Sequence, residues 1–228
     1  NIMIKLKITV IAACLSLIAS AVTAETRIGV SGHFLQFSSD GSETLRQSGN
    51  VTNKSVEEDV AVPSIFVELV GEKGIGFGVD YVPVAELGSQ TSTSKVDAET
   101  NGENKASAEL LSHITLYTIA EHPTNGLYGK LGIAFADVDT TEALSTGDSY
   151  GNTDTTGIMI AVGKTFKKDN GIFVRGEASY TDYDDVEITS NHGSSVKADV
   201  DASIPAVTYA LNTSDPIEAT TVAPFLTA

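Results

Sequence analysis

The chain has one cysteine, no tryptophan, six prolines and 14 basic residues against 30 acidic ones. Each shortage excludes something. The lone Cys14 sits in the N-terminal segment; once that segment is removed, no disulfide, cysteine zinc site or thiol nucleophile is available. A formal charge of −16 and a pI of about 4.4 argue against nucleic-acid binding, which needs basic surface to displace counterions. Beyond the N-terminus no stretch approaches the ~20 consecutive apolar residues of a spanning helix. Entry into a membrane would therefore require a β-barrel. Few prolines beside 20 glycines suit strands and turns better than disorder.

The start of the chain has the three parts of a secretory signal. Met3-Ile4-Lys5-Leu6-Lys7 is basic, residues 8–21 are almost wholly apolar, and Val22-Thr23-Ala24 sets up a cut after Ala24. As a membrane anchor the apolar run is short. A lipoprotein site at Cys14 fits poorly, because the apolar region continues past it. The expected organisation is an export signal over residues 1–24, one folded domain over 25–211, and an irregular segment over 212–228 that contains Pro216 and Pro224.

Within the domain, side chains alternate with a period of two. Residues 62–85 read as a hairpin around the turn Gly71-Glu72-Lys73-Gly74, with Ile65, Val67, Leu69, Ile75, Phe77, Val79 and Tyr81 on the oily face. Further strands are expected over 27–37, 106–119, 127–138, 156–166, 172–181 and 196–211. On the fourth strand Leu110, Ile114 and Leu116 are placed together, opposite Glu109, His113, Thr115 and Tyr117. Short turns at 71–74, 122–126 and 167–171 alternate with long polar stretches at 38–60, 87–105, 139–155 and 182–195. Eight strands of roughly ten residues, with short turns on one side and long loops on the other, are the pattern of an eight-stranded antiparallel up-and-down transmembrane β-barrel.

Charge placement decides which face is the inner one. Glu68, Asp80, Lys130, Arg175 and Glu177 all lie mid-strand, and all fall in the phase occupied by glycines and small residues. A basic residue facing lipid at mid-depth costs ~2–4 kcal/mol, so these five are expected in the lumen as an ion-pair network. The expected pairs are Lys130 with Glu68, and Arg175 with Glu177 or Asp80. Ile75, Phe77, Leu131, Ile133 and Val174 then face acyl chains. An eight-stranded interior is just wide enough for side chains to fill, so a filled lumen is expected rather than a gate.

The segments PSIFVELV, KGIGFGVDYVP and GLYGKLGIAF, with the export signal and the alternating loop lengths, resemble the small bacterial outer-membrane β-barrels of the OmpA, OmpX and opacity-protein kind. The resemblance implies an outer-membrane location in a Gram-negative envelope. It also implies contact with lipid and lipopolysaccharide, insertion by the barrel-assembly machinery, and a monomer. Members of that group usually finish on an aromatic residue; this chain finishes Phe225-Leu226-Thr227-Ala228.

No catalytic set is expected. Ser112, His113 and Glu109 are the one cluster with suitable chemistry, but Ser112 and His113 fall on opposite faces of a strand. The acids Asp182, Asp184, Asp185 and Glu187 lack the spacing of a calcium loop and read as solvated charge, or as contacts for divalent ions that bridge lipopolysaccharide. No metal or cofactor is expected. The functional expectation is a structural or surface-interaction barrel with acidic external loops. The alternatives are a small porin-like diffusion channel and a secreted, soluble, lipocalin-like binder with an apolar interior.

Overall fold

The computed structural model describes residues 24–44, 49, 51–94, 102–144, 147–168, 171–193 and 195–212. The segments read as an export signal and a C-terminal tail lie outside the described residues, apart from Ala24 and Asn212. Among the described residues there are ten strands: β1 (Glu25–Thr44), β2 (Val51–Val70), β3 (Ile75–Val82), β4 (Ala85–Ser94), β5 (Gly102–Glu121), β6 (Leu127–Ala143), β7 (Thr153–Lys167), β8 (Ile172–Tyr183), β9 (Val186–Thr189) and β10 (Ser195–Asn212).

They occupy eight positions in one antiparallel ring. β3 and β4 both pair with β5 and are separated at Pro83-Val84, where proline has no N–H to give to a ladder. β8 and β9 both pair with β10 and are separated at Asp184-Asp185. β1 pairs with β2 on one side and with β10 on the other, from Arg27↔Asn212 to Thr44↔Ser195. This last ladder closes the barrel, and Ser31 and Thr208 hydroxyls meet across its inner face at 2.9 Å.

The short turns form where glycine permits them. Gly74, Gly126 and Gly171 have φ of +78°, +71° and +77°, a region that side chains with a Cβ rarely adopt. Gly74 N–H donates to the Gly71 carbonyl at 2.8 Å, and Gly126 N–H to the His122 carbonyl at 3.0 Å.

Around the half of the barrel nearest these turns, the outer face is an apolar belt. Ile75 is 68% exposed, Ile158 63% and Leu131 58%, and Val30, Phe34, Ile65, Phe77, Ile133, Ile160, Val162 and Phe166 are also exposed. So large a continuous apolar surface is a liability in water and suits acyl chains. A soluble lipid-binding barrel needs the reverse arrangement at this level.

The strands are longer than the sequence suggested. β1, β2 and β5 each run for 20 residues, and at ~3.3 Å per residue with a ~45° tilt they stand about 45 Å tall. The apolar band of such a barrel is ~25 Å, so roughly half of each strand projects beyond it. Most of what read as long loops is therefore sheet; the described residues outside strands in those stretches are 49, 144, 147–152, 184–185 and 190–193. The reason lies in a reversal of polarity along the strands. Above the belt Asn53, Ser55, Glu57, Asp59, Glu86 and Asp182 face out and are exposed. Val62, Val82, Leu87, Leu110, Ala134, Ala136 and Tyr183 pack together inside. In that upper half the wall is built as a water-soluble protein is built.

The fourth position carries a second correction. The β5–β6 register shifts between Leu110 and Ser112, so Leu111 is a bulge that flips the alternation. Leu110 is buried inside the barrel, whereas Ile114 and Leu116 lie on the outer side with Thr118 and Ala120. No register shift interrupts β10: its pairing with β1 lapses at Ile204-Pro205 and resumes in the same register.

Candidate functional site

The lumen of the short-turn half is crossed by a plug of charged side chains. Alternation brings Arg27 (β1), Glu68 (β2), Glu121 (β5), Lys130 (β6), Thr165 (β7), Arg175 and Glu177 (β8) to the inside. Arg175 grips Glu68 with two parallel bonds, Nη1–Oε1 at 2.6 Å and Nη2–Oε2 at 3.0 Å. Arg27 grips Glu121 in the same way, at 2.7 and 3.1 Å. Thr165 joins the pairs, since its hydroxyl donates to Glu121 at 2.9 Å and accepts from Arg175 Nε at 3.2 Å. Lys130 bonds Glu177 at 2.7 Å and lies 3.6 Å from Glu68. Glu68 is 0% exposed and Arg175 1%. Fork-to-fork pairs of this kind are the strong form of ion pair, and they repay desolvation because nearly every lone pair and proton is used.

Aromatic side chains complete the plug. Tyr117 donates its hydroxyl to Glu68 at 2.8 Å, and Tyr128 donates to Glu177 at 2.7 Å. The Lys130 ammonium sits 4.3 Å from the centre of the Tyr117 ring, and the Arg175 guanidinium 4.6 Å from that of Tyr128. Gly78 makes room for this packing: a Cβ there would stand 2.6 Å from the Tyr117 ring and 2.8 Å from Glu68 Cγ. Gly78→Val is expected to destabilise the barrel by ~1–3 kcal/mol, the usual cost of overpacking. Urea unfolding in lipid vesicles would measure it.

All five of the expected charged residues point inward; the expected Lys130–Glu68 pair is present at 3.6 Å beside the shorter bond to Glu177, but the Arg175 pairing differs. Arg175 bonds Glu68 rather than Glu177 or Asp80. Arg175 and Glu177 are two apart on one strand and project side by side, so the long guanidinium crosses the lumen to β2 instead. Asp80 stands apart from the plug. It accepts the Ser64 hydroxyl at 2.8 Å, and Ser64 in turn is 2.7 Å from His33 Nε2. Arg27, Glu121 and the two tyrosines were not singled out from the sequence. Arg27 shares a phase with Gly29 and Ser31, which places it inside; Glu121 lies just past the expected strand end.

On the long-loop side of the plug the lumen is not filled. A partly open cavity of about 110 Å³ remains there. Its walls include Val62, Val82, Leu87, Leu110 and Met159, and Asp80, His33, Lys130 and Glu177 lie toward the plug.

The remaining candidates fall elsewhere. Ser112 donates to Asp137 at 2.7 Å, while His113 bonds the Tyr183 hydroxyl at 2.9 Å; the serine and the histidine serve different faces. Asp182, Asp184, Asp185 and Glu187 are exposed, and Glu187 pairs with Lys197 at 3.0 Å. Among the described residues no group of three or more His, Cys, Asp and Glu side chains converges as a metal site. Asp148 accepts from Ser190 at 3.3 Å and lies 2.8 Å from His192 Nδ1. The serine hydroxyl thus donates to the carboxylate, and the trio ties two loops together.

No protein-family model matches the sequence, and no curated protein matches it. Among solved structures, the outer membrane protein OprG from Pseudomonas aeruginosa aligns with a TM-score of 0.58 at 11% identity, over 84% of this chain and 97% of that one. The outer membrane protein AlkL in lipid bilayers gives 0.45 at 14% identity, over 86% and 94%. Neisserial surface protein A gives 0.44 at 13% identity, over 82% and 96%. The likeness to OprG is one of fold: the chain is an antiparallel up-and-down barrel of the outer-membrane type.

Proposed function

We propose that this chain is a bacterial outer-membrane barrel with a structural or surface-interaction role, closed to free diffusion and without catalytic activity. In this reading residues 1–24 direct export and are cut after Ala24. The assembly machinery inserts the barrel as a monomer among lipid and lipopolysaccharide. The acidic wall that projects above the membrane meets the outside medium or a partner. The observation that carries the reading is the pairing of an exposed apolar belt with a fully bonded plug at the same level, from Arg27 through Glu121 and Arg175 to Glu68. A lumen filled in this way leaves no continuous water path.

The test is heat-modifiable gel migration of the refolded protein together with a planar-bilayer current trace. The expected result is a folded band that shifts on boiling and no steady current. A steady open state in the wild-type protein would overturn the closed reading and favour a small diffusion channel.

A further inference from the structure

The cavity above the plug has a charge ledger that does not close. Three lumen acids each have a cation within 3 Å: Glu68 has Arg175, Glu121 has Arg27, and Glu177 has Lys130. Asp80 does not. Among the described residues its partners are the Ser64 hydroxyl at 2.8 Å and the His33 ring at 3.9 Å. Ser64 has one hydroxyl proton and donates it to Asp80, so the 2.7 Å contact with His33 requires Nε2–H as donor. The relay from His33 through Ser64 orients the carboxylate without supplying a permanent positive charge. Asp80 keeps 17% of its side chain accessible, on the cavity side. The nearby Lys130 and Glu177 neutralise each other.

We propose that this cavity binds a small amphiphilic cation, an alkylammonium-type molecule whose head sits on Asp80 and whose apolar chain lies against Val62, Val82, Leu87 and Leu110. The walls favour the chain because they are apolar and already out of water. The head is favoured over a neutral or anionic one because a largely buried carboxylate has no permanent counter-charge beside it. Size fits a short chain. The cavity of about 110 Å³ is somewhat smaller than the ~150 Å³ apolar cavity known to accept benzene, and its opening leaves room for a chain end. This goes beyond the functional reading above, because binding above a closed plug needs no passage through it.

The experiment is a methyl NMR titration of the full barrel in nanodiscs of zwitterionic lipid, with n-hexylammonium, n-hexanol and hexanoate as probes. Hexylammonium is expected to shift the Val82 and Leu110 methyls with a Kd about tenfold below that of hexanol, with hexanoate weakest. Asp80→Asn should erase the gap between hexylammonium and hexanol while leaving hexanol unchanged. Ala136→Leu, which fills the wall, should weaken both. If the aspartate variant does not fold, the order of the three probes on wild-type protein still decides. The proposal is overturned if hexanol or hexanoate binds as tightly as hexylammonium, if Asp80→Asn keeps the preference, or if the methyls do not respond. Because the readout is binding to folded protein, it fails or succeeds independently of the current trace.

Discussion

Glu68→Gln is expected to cost about 3–5 kcal/mol of barrel stability, the usual price of stranding a buried charge. One carboxylate here serves four partners. Arg175 bonds both of its oxygens, Tyr117 donates to Oε1 at 2.8 Å, Lys130 lies at 3.6 Å and Arg27 at 3.8 Å. Lys130 and Arg27 keep Glu177 and Glu121 when Glu68 is neutralised. Arg175 keeps the Thr165 hydroxyl, Glu121 at 3.6 Å and the faces of the Tyr128 and Phe173 rings, but loses its bonded carboxylate, so the loss concentrates there. Arg175→Met should cost a similar amount. The double variant Glu68→Met with Arg175→Met should cost far less than the two together, because it removes the stranded charge along with the pair. Urea unfolding in lipid vesicles measures all three. A Glu68→Gln loss under 1 kcal/mol would mean that the plug contributes little to holding the barrel together.

The plug was only partly legible in the sequence. Alternation alone placed Glu68, Asp80, Lys130, Arg175 and Glu177 inside, because each falls in the phase opposite large apolar residues of its own strand, such as Ile65, Ile75, Leu131 and Val174. It could not say which charges meet. Pairing across a lumen depends on how far each strand is displaced along its neighbours, and that is set by ladders such as Arg27↔Glu68 and Glu68↔Gly78, which one chain's periodicity does not encode. The eight positions and the short turns could be read because glycine turns and oily alternation coincide there. The strand lengths could not. Above the belt, residues such as Asn53, Ser55 and Glu57 face water, and a half-polar strand in water resembles a loop in composition. The Leu111 bulge was hidden for a related reason: a single extra residue leaves the apolar character of Leu110 unchanged and only moves it to the other face.

That reversal of polarity yields the second large effect, readable on one strand. Leu131 and Thr141 both lie in the outward phase of β6 and both are exposed. Leu131 sits within the belt, opposite Thr118 on β5 and Ile160 on β7. Thr141 lies opposite Ser107 on β5, about 23 Å higher at ~3.3 Å per residue and ~45° tilt. Leu131→Arg puts a guanidinium near the middle of the acyl region and should cost ~2–4 kcal/mol. Thr141→Arg puts the same group in water and should change stability by less than ~0.5 kcal/mol. Exposure alone predicts no difference between two outward positions; the solvent each one meets predicts the whole of it. Unfolding of both variants in the same vesicles makes the comparison. Equal costs at the two positions would place Leu131 in water, and the apolar belt could then not be the surface that meets lipid.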